Sequence, residues 1–103
     1  MEKKDKEIYR YVTEHCPYCA LCGSTSFLHR HHIVYRSEGG PTDYWNVIVL
    51  CERCHQMVHS NKRKWQPRLQ RILREVVVEE CNYDKNIKEY IRSVPIKMTG
   101  KII

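Results

Sequence analysis

The residues of this chain whose types and spacing suit chemistry are cysteines and histidines. Cys19-Ala20-Leu21-Cys22-Gly23 and Cys51-Glu52-Arg53-Cys54 are two C-x-x-C pairs with 28 residues between them, room enough for a hairpin. Four thiolates suit a tetrahedral zinc ion, provided one pair sits on a turn and the other at a helix start. The competing readings are buried free thiols or a thioredoxin-like redox motif. Redox motifs rarely come as two matched pairs, and no strand-helix-strand pattern surrounds either one. Cys16-Pro17-Tyr18-Cys19 offers a second register for the first pair. Cys19 and Cys22 are preferred, because Gly23 can take the positive φ that such a turn commonly needs after its second ligand. Cys16 and Cys81 are then left as packing thiols.

Five of the six histidines fall in two groups, His29, His31 and His32 in one and His55 and His59 in the other. On a helix, four residues return to nearly the same face, so His55 and His59 project side by side, roughly 100° and 140° round from Cys54. One helix can therefore serve two metals. On a strand, His31 and His32 point to opposite faces; if one joins the helix pair at a metal, the other must act elsewhere nearby. A third set is basic: Ser60 to Arg74 carries Lys62, Arg63, Lys64, Arg68, Arg71 and Arg74 and no acidic residue. Such a track neutralises phosphates and gives affinity with little sequence information. For Arg71 and Arg74 a solvated helix face is an equal alternative, whereas Lys62 to Lys64 adjoin the metal-type residues and are assigned to phosphate contact. Tyr35, Arg36 and Trp45 either reach nucleic acid or pack.

These residues need elements to hold them. Ile8, Tyr9 and Val12 at helical spacing predict a helix over Lys3 to Val12. Phe27 to Val34 and Val47 to Leu50 read as strands, separated by the turn formers of Ser37 to Asp43. Cys51 to about Arg63 lacks Gly and Pro, and Cys51, Cys54, His55, Val58 and His59 recur at three and four residues, which predicts one helix. Pro67 suits the first turn of a further helix with an apolar stripe of Leu69, Ile72, Leu73, Val76 and Val77. Asp84 can cap a last helix carrying Ile87, Tyr90 and Ile91, which Pro95 keeps short.

The whole chain bounds the function classes. It has 103 residues, 18 Lys and Arg against 12 Asp and Glu for a net charge of +6, six cysteines, and 42% apolar content. That is one domain, 1–103, with a modest core that a structural metal would help to stabilise. The charge points to a polyanionic partner, nucleic acid first. No apolar run reaches membrane length and Met1 to Glu7 is charged, which argues against secretion and membrane insertion and predicts a cytoplasmic protein with reduced thiols.

Taken together, Cys19-x-x-Cys22-Gly23, His31-His32-Ile33, Gly39-Gly40, Asn46, Leu50-Cys51-x-x-Cys54-His55 and His59 resemble the HNH endonuclease family. The three signature letters fall on His32, Asn46 and His55. The spacing is specific: ten residues from Cys22 to His32, fourteen to Asn46, nine to His55 and four to His59. The resemblance covers about residues 16–60, leaving 61–103 as a basic helical extension, and is greatest to small bacteriophage members. It implies an α+β, ββα-metal core with a four-cysteine zinc site, flanked by an N-terminal helix and C-terminal helices.

For activity, the resemblance implies a metal-dependent DNA endonuclease, a phosphodiester hydrolase that nicks one strand per site. His32 is then the general base, His31, His55 and His59 hold the catalytic divalent metal, and Asn46 pins the loop between the strands and so orients His32. As a residue in its own right Asn46 reads equally as an ordinary turn residue. Many relatives carry Asp at the position of His31; an all-imidazole set is softer, which favours Mn²⁺ or Ni²⁺ and leaves Mg²⁺ as a further candidate. Lys62, Arg63, Lys64 and Arg68 are the expected DNA contacts. The resemblance to phage members further implies packaging proteins, terminase or portal, as partners, the host cytoplasm as location, and a monomer or weak dimer. The alternative from another class is a non-catalytic, zinc-stabilised DNA-binding or adaptor module. It needs the four cysteines and the basic track but no histidines, so the presence of His31, His32, Asn46, His55 and His59 favours the nuclease.

Overall fold

The structure, a computed structural model, describes residues 2–97. Met1 and residues 98–103, the outer ends of the expected domain, lie outside the described residues. Helix α1 (Lys3–His15) buries Ile8 and Val12, one turn apart, against the β-sheet. It ends where Pro17 disfavours a helical conformation for Cys16, three residues later than the apolar spacing predicts. Strands β1 (Leu28–His32) and β2 (Val47–Cys51) form an antiparallel pair, with His32 opposite Val47 and Leu28 opposite Cys51. Every residue of β2 is buried, since α1 and the later helices cover one face and helix α2 (Glu52–Ser60) the other. Helix α3 (Lys62–Ile72), a π-turn (Leu73–Val77), a short helical turn α4 (Val78–Glu80) and α5 (Lys85–Ser93) complete the chain. Leu69, Leu73, Val78 and Ile91 join Ile33, Ile48 and Leu50 in the core. Among the described residues no helix is long and apolar enough to cross a membrane.

Several expected boundaries move. The first strand is shorter at both ends than 27–34. Phe27 takes a positive φ of 52°, and beyond His32 the chain leaves β2 to wrap around Asn46. The single helix expected over 51–63 is broken at Asn61, whose backbone is non-helical and whose side chain accepts a hydrogen bond from the Lys64 N–H as an N-cap. Consequently Pro67 lies inside α3, not in its first turn; the carbonyl it leaves without a donor belongs to exposed Arg63, where water can serve. The stripe also needs correction. In the π-turn each residue advances less round the axis, so Leu69, Leu73, Val77 and Val78 face inward and Val76 is exposed. Tyr90 is exposed as well, donating its hydroxyl to Asp43. Asp84 does cap α5, accepting from the Asn86 N–H at 2.8 Å.

The loop between the strands is fixed from within. Asn46, fully buried, accepts from the Val34 N–H at 2.7 Å and donates to the carbonyls of Val34 and Pro41 at 3.0 and 2.9 Å. Gly40 passes so close that a Cβ there would lie 1.8 Å from the Val34 carbonyl oxygen.

Candidate metal centres and nucleic-acid cleft

The first constellation forms where a turn meets a helix start. Residues 19–24 close a tight turn, with the Cys19 N–H donating to the Ser24 carbonyl and the Gly23 N–H to that of Cys19; Gly23 sits at φ 79°. The Ala20 N–H donates to the Val49 carbonyl and docks this turn on β2. Cys51 ends β2 and is the N-cap of α2, its thiol accepting from the Cys54 N–H. One ligand atom each from Cys19, Cys22, Cys51 and Cys54 lie within 4.8 Å of one another, a set compatible with zinc. Burial opposes ionisation of Cys19, but backbone N–H donors from Cys51, Cys22 and Leu21 outweigh it and bring its pKa down to about 7. Burial and the neighbouring thiols push Cys54 up. A cation among the sulfurs would relieve that crowding of thiols. Cys16 and Cys81 lie elsewhere, their thiols 3.5 Å from the hydroxyls of Tyr83 and Tyr18 respectively.

The second constellation joins β1 to α2. Strand alternation turns His31 toward α2, where one helical turn sets His55 and His59 beside it. Their ligand nitrogens lie within 4.8 Å of one another, and the Nε2 atoms of His55 and His59 are 3.1 Å apart. His31 is 3% exposed, and its Nε2 is buried with no hydrogen-bond partner. An orphaned imidazole nitrogen aimed at two others fits a divalent metal, which would satisfy it. Burial, then the neighbouring histidines, lower the His31 pKa to about 3, and burial and His59 lower that of His55. The His31 and His55 rings are thus neutral and able to ligate near neutral pH. Tyr35 supports the set through its hydroxyl, 2.9 Å from His59 Nδ1. A proton shared there leaves Nε2 for an ion.

His32, the last residue of β1, faces the other way. Its Nε2 is 2.9 Å from the Thr42 hydroxyl and 3.4 Å from that of Tyr9. Arg36 donates to both hydroxyls, at 3.2 and 2.9 Å. Burial, then the Arg36 charge, lower the His32 pKa, which keeps the ring neutral. Both histidine groups nevertheless open on one cleft of about 220 Å³ lined by Arg30, His31, His32, Tyr35, Arg36, His55 and His59.

Other residues land differently from the expectation. Lys62 is ion-paired with Glu38 at 2.7 Å, a partner 24 residues away that a scan of 60–74 could not supply. Arg74 is drawn inward to the carbonyls of Ile91 and Val94, so of its two readings neither a phosphate contact nor a solvated face applies. Arg63, Lys64 and Arg68 are exposed on α3, with Lys64 and Arg68 over the Trp65 ring. Arg30 was not singled out from sequence, although its place two residues before His32 on a strand puts it on the same face. Tyr9 and Thr42 were also missed as partners of His32; only the folded loop reveals them.

No solved structure matches the chain. Among curated proteins, the chain is similar to one named Anaredoxin from Nostoc sp. (strain PCC 7120), 31% identical over 62 residues that make up 60% of this chain and 79% of that protein. A family model described as HNH endonuclease matches residues 16–61, the stretch that holds both constellations, Asn46 and His32. Residues 16–61, with the cysteine cluster, the histidine triad and the hairpin that carries them, thus match the HNH endonuclease family.

Proposed function

We propose that this protein is a metal-dependent DNA endonuclease that hydrolyses phosphodiester bonds and nicks one strand per site. One observation carries the reading: the unpartnered His31 Nε2, with His55 and His59, opens on the same cleft as His32 and two arginines. A binding module has no need of this convergence. Cys19, Cys22, Cys51 and Cys54 hold a structural zinc that ties the first turn to β2 and α2.

In the mechanism, Arg30 and Arg36 take the non-bridging oxygens of the scissile phosphate by charge-assisted hydrogen bonds. His32 is the general base. With its Nε2–H donated to Thr42, its Nδ1 lone pair is free to accept a proton from water, help worth roughly 10² to 10⁴ in rate. Asn46 positions His32 by holding Val34 and Pro41, and Tyr35 holds the His59 ring. His31, His55 and His59 would hold a divalent ion, which would supply Lewis-acid neutralisation of the charge that builds in the reaction. The all-imidazole set favours Mn²⁺ or Ni²⁺ over Mg²⁺. Arg63, Lys64 and Arg68, with Lys62 once released from Glu38, extend the phosphate track along α3.

On the same reading the protein acts as a monomer or weak dimer in the host cytoplasm, as a small phage-type member with terminase or portal partners. A supercoiled plasmid incubated with and without Mn²⁺ tests the central activity. Open circles accumulating ahead of linear DNA, and only with metal, are expected; intact plasmid under all conditions contradicts it.

A further inference from the structure

The histidine face extends past the triad. His29 shares the α2-facing side of β1 with His31, two residues on, and α2 presents Glu52, His55 and His59 along one side. The His29 and His55 rings lie nearly parallel, 17° apart with centroids at 4.8 Å, and His29 Nε2 meets Glu52 Oε1 at 2.5 Å. Ligand atoms of His29, Glu52 and His55 lie within 4.8 Å of one another, so this set overlaps the triad at His55. Helix polarity alone accounts for an acidic residue in the first turn of α2. It does not account for an imidazole that meets that carboxylate while stacked on a second imidazole.

We propose that His29 and Glu52 form a second divalent-cation site beside the His31, His55 and His59 site. A neutral imidazole offers one lone pair, and His55 Nε2 already turns toward His59. Hence the second ion has two protein ligands, one nitrogen and one carboxylate, when the triad is filled. It is held more weakly and keeps several positions for water or phosphate oxygens. Mixed nitrogen and oxygen donors suit Mn²⁺. This site rests on the proposed function only in that the triad takes His55 for the first ion, and its occupancy is read without DNA or cleavage.

The test is Mn²⁺ binding to the full, zinc-loaded chain, followed by loss of the free-ion electron paramagnetic resonance signal. The expected result is two Mn²⁺ per chain, the second at least about ten-fold weaker, a factor in keeping with its fewer ligands. His29→Asn and, as a more conservative change, Glu52→Gln should each abolish the weak ion and leave the tight one. His59→Ala should weaken the tight ion and spare the other. A single Mn²⁺ in the parent chain, or two retained with unchanged affinities in both His29→Asn and Glu52→Gln, overturns the site. A nuclease without the second ion, or a second ion in a protein that does not cut, separates this inference from the proposed function.

Discussion

The cysteine cluster and the histidine cleft share a hairpin and a helix, yet their ligands keep different company. Around the sulfurs, backbone N–H groups from the turn and the α2 start supply the polar contacts, and the set of four is complete. Around the histidines the set stops at three, one nitrogen lacks a partner, and cationic side chains rather than backbone line the remaining space. On the proposed reading, a tetrahedral site made only of protein ligands serves folding, and a set of three facing the proposed base His32 and two guanidiniums suits reaction with an anion. Helix α2 carries both because Cys54 and His55 are adjacent residues that leave the axis about 100° apart. The division of labour thus reduces to which side of one helix a ligand occupies.

The largest effect should come from breaking the closed site. A structural zinc site contributes roughly 10 to 16 kcal/mol at neutral pH, more than the net stability of many domains of this size. Cys51→Ala, which also removes the α2 N-cap thiol, should unfold the chain or release its zinc, as read by circular dichroism and metal analysis. Cys16→Ala should leave zinc content unchanged. A folded, zinc-replete Cys51→Ala protein would erase the contrast between the two regions.

The open site should respond in the opposite way. His55→Ala should retain the fold and the zinc while losing Mn²⁺ affinity and cleavage together, measured by titration and plasmid nicking. Dialysis against a mild chelator should reproduce that phenotype in the parent chain, with activity restored by Mn²⁺ or Ni²⁺ more readily than by Ca²⁺. Between the two extremes lies Asn46. Asn46→Ala strands the buried Val34 N–H and two carbonyls, so about 3 kcal/mol of stability should be lost, with unpaired buried groups costing about 1 to 3 kcal/mol each. Denaturant unfolding measures this, and a loss under about 0.5 kcal/mol would return Asn46 to the ordinary turn residues.

The smallest effects belong to the phosphate contacts. Replacing Arg36, Arg63 or Lys64 with Ala should each reduce the salt dependence of duplex DNA binding by about 0.9 in log-log slope, without sequence preference. Lys62→Ala should change it less, because its ammonium is already paired with Glu38. Equal slopes for all four variants would show that this pair opens on binding.

How far these features can be read in the sequence depends on the range of the interactions that create them. Both metal constellations rest on short periods, two intervening residues in each C-x-x-C and a four-residue return on a helix, so they are legible without the fold. Asn61 breaks a helix through its own side chain, with no Gly or Pro to announce it. The π-turn changes the inward face of Leu73–Val77 through packing, which the regular period cannot anticipate. The contacts of Lys62 with Glu38, and of His32 with Tyr9 and Thr42, cross 24, 23 and 10 residues of chain. They exist only once Asn46 and Gly40 have set the loop.

The central claim is that His32 is a base acting in the cleft that the triad builds. Replacing it removes a proton acceptor but none of the triad nitrogens, so the cleavage rate of His32→Ala at saturating Mn²⁺ isolates that role. The account predicts Mn²⁺ and DNA affinities close to those of the parent chain and a rate at least about 10²-fold lower, the lower end of what a positioned base contributes. A rate equal to the parent's would contradict it.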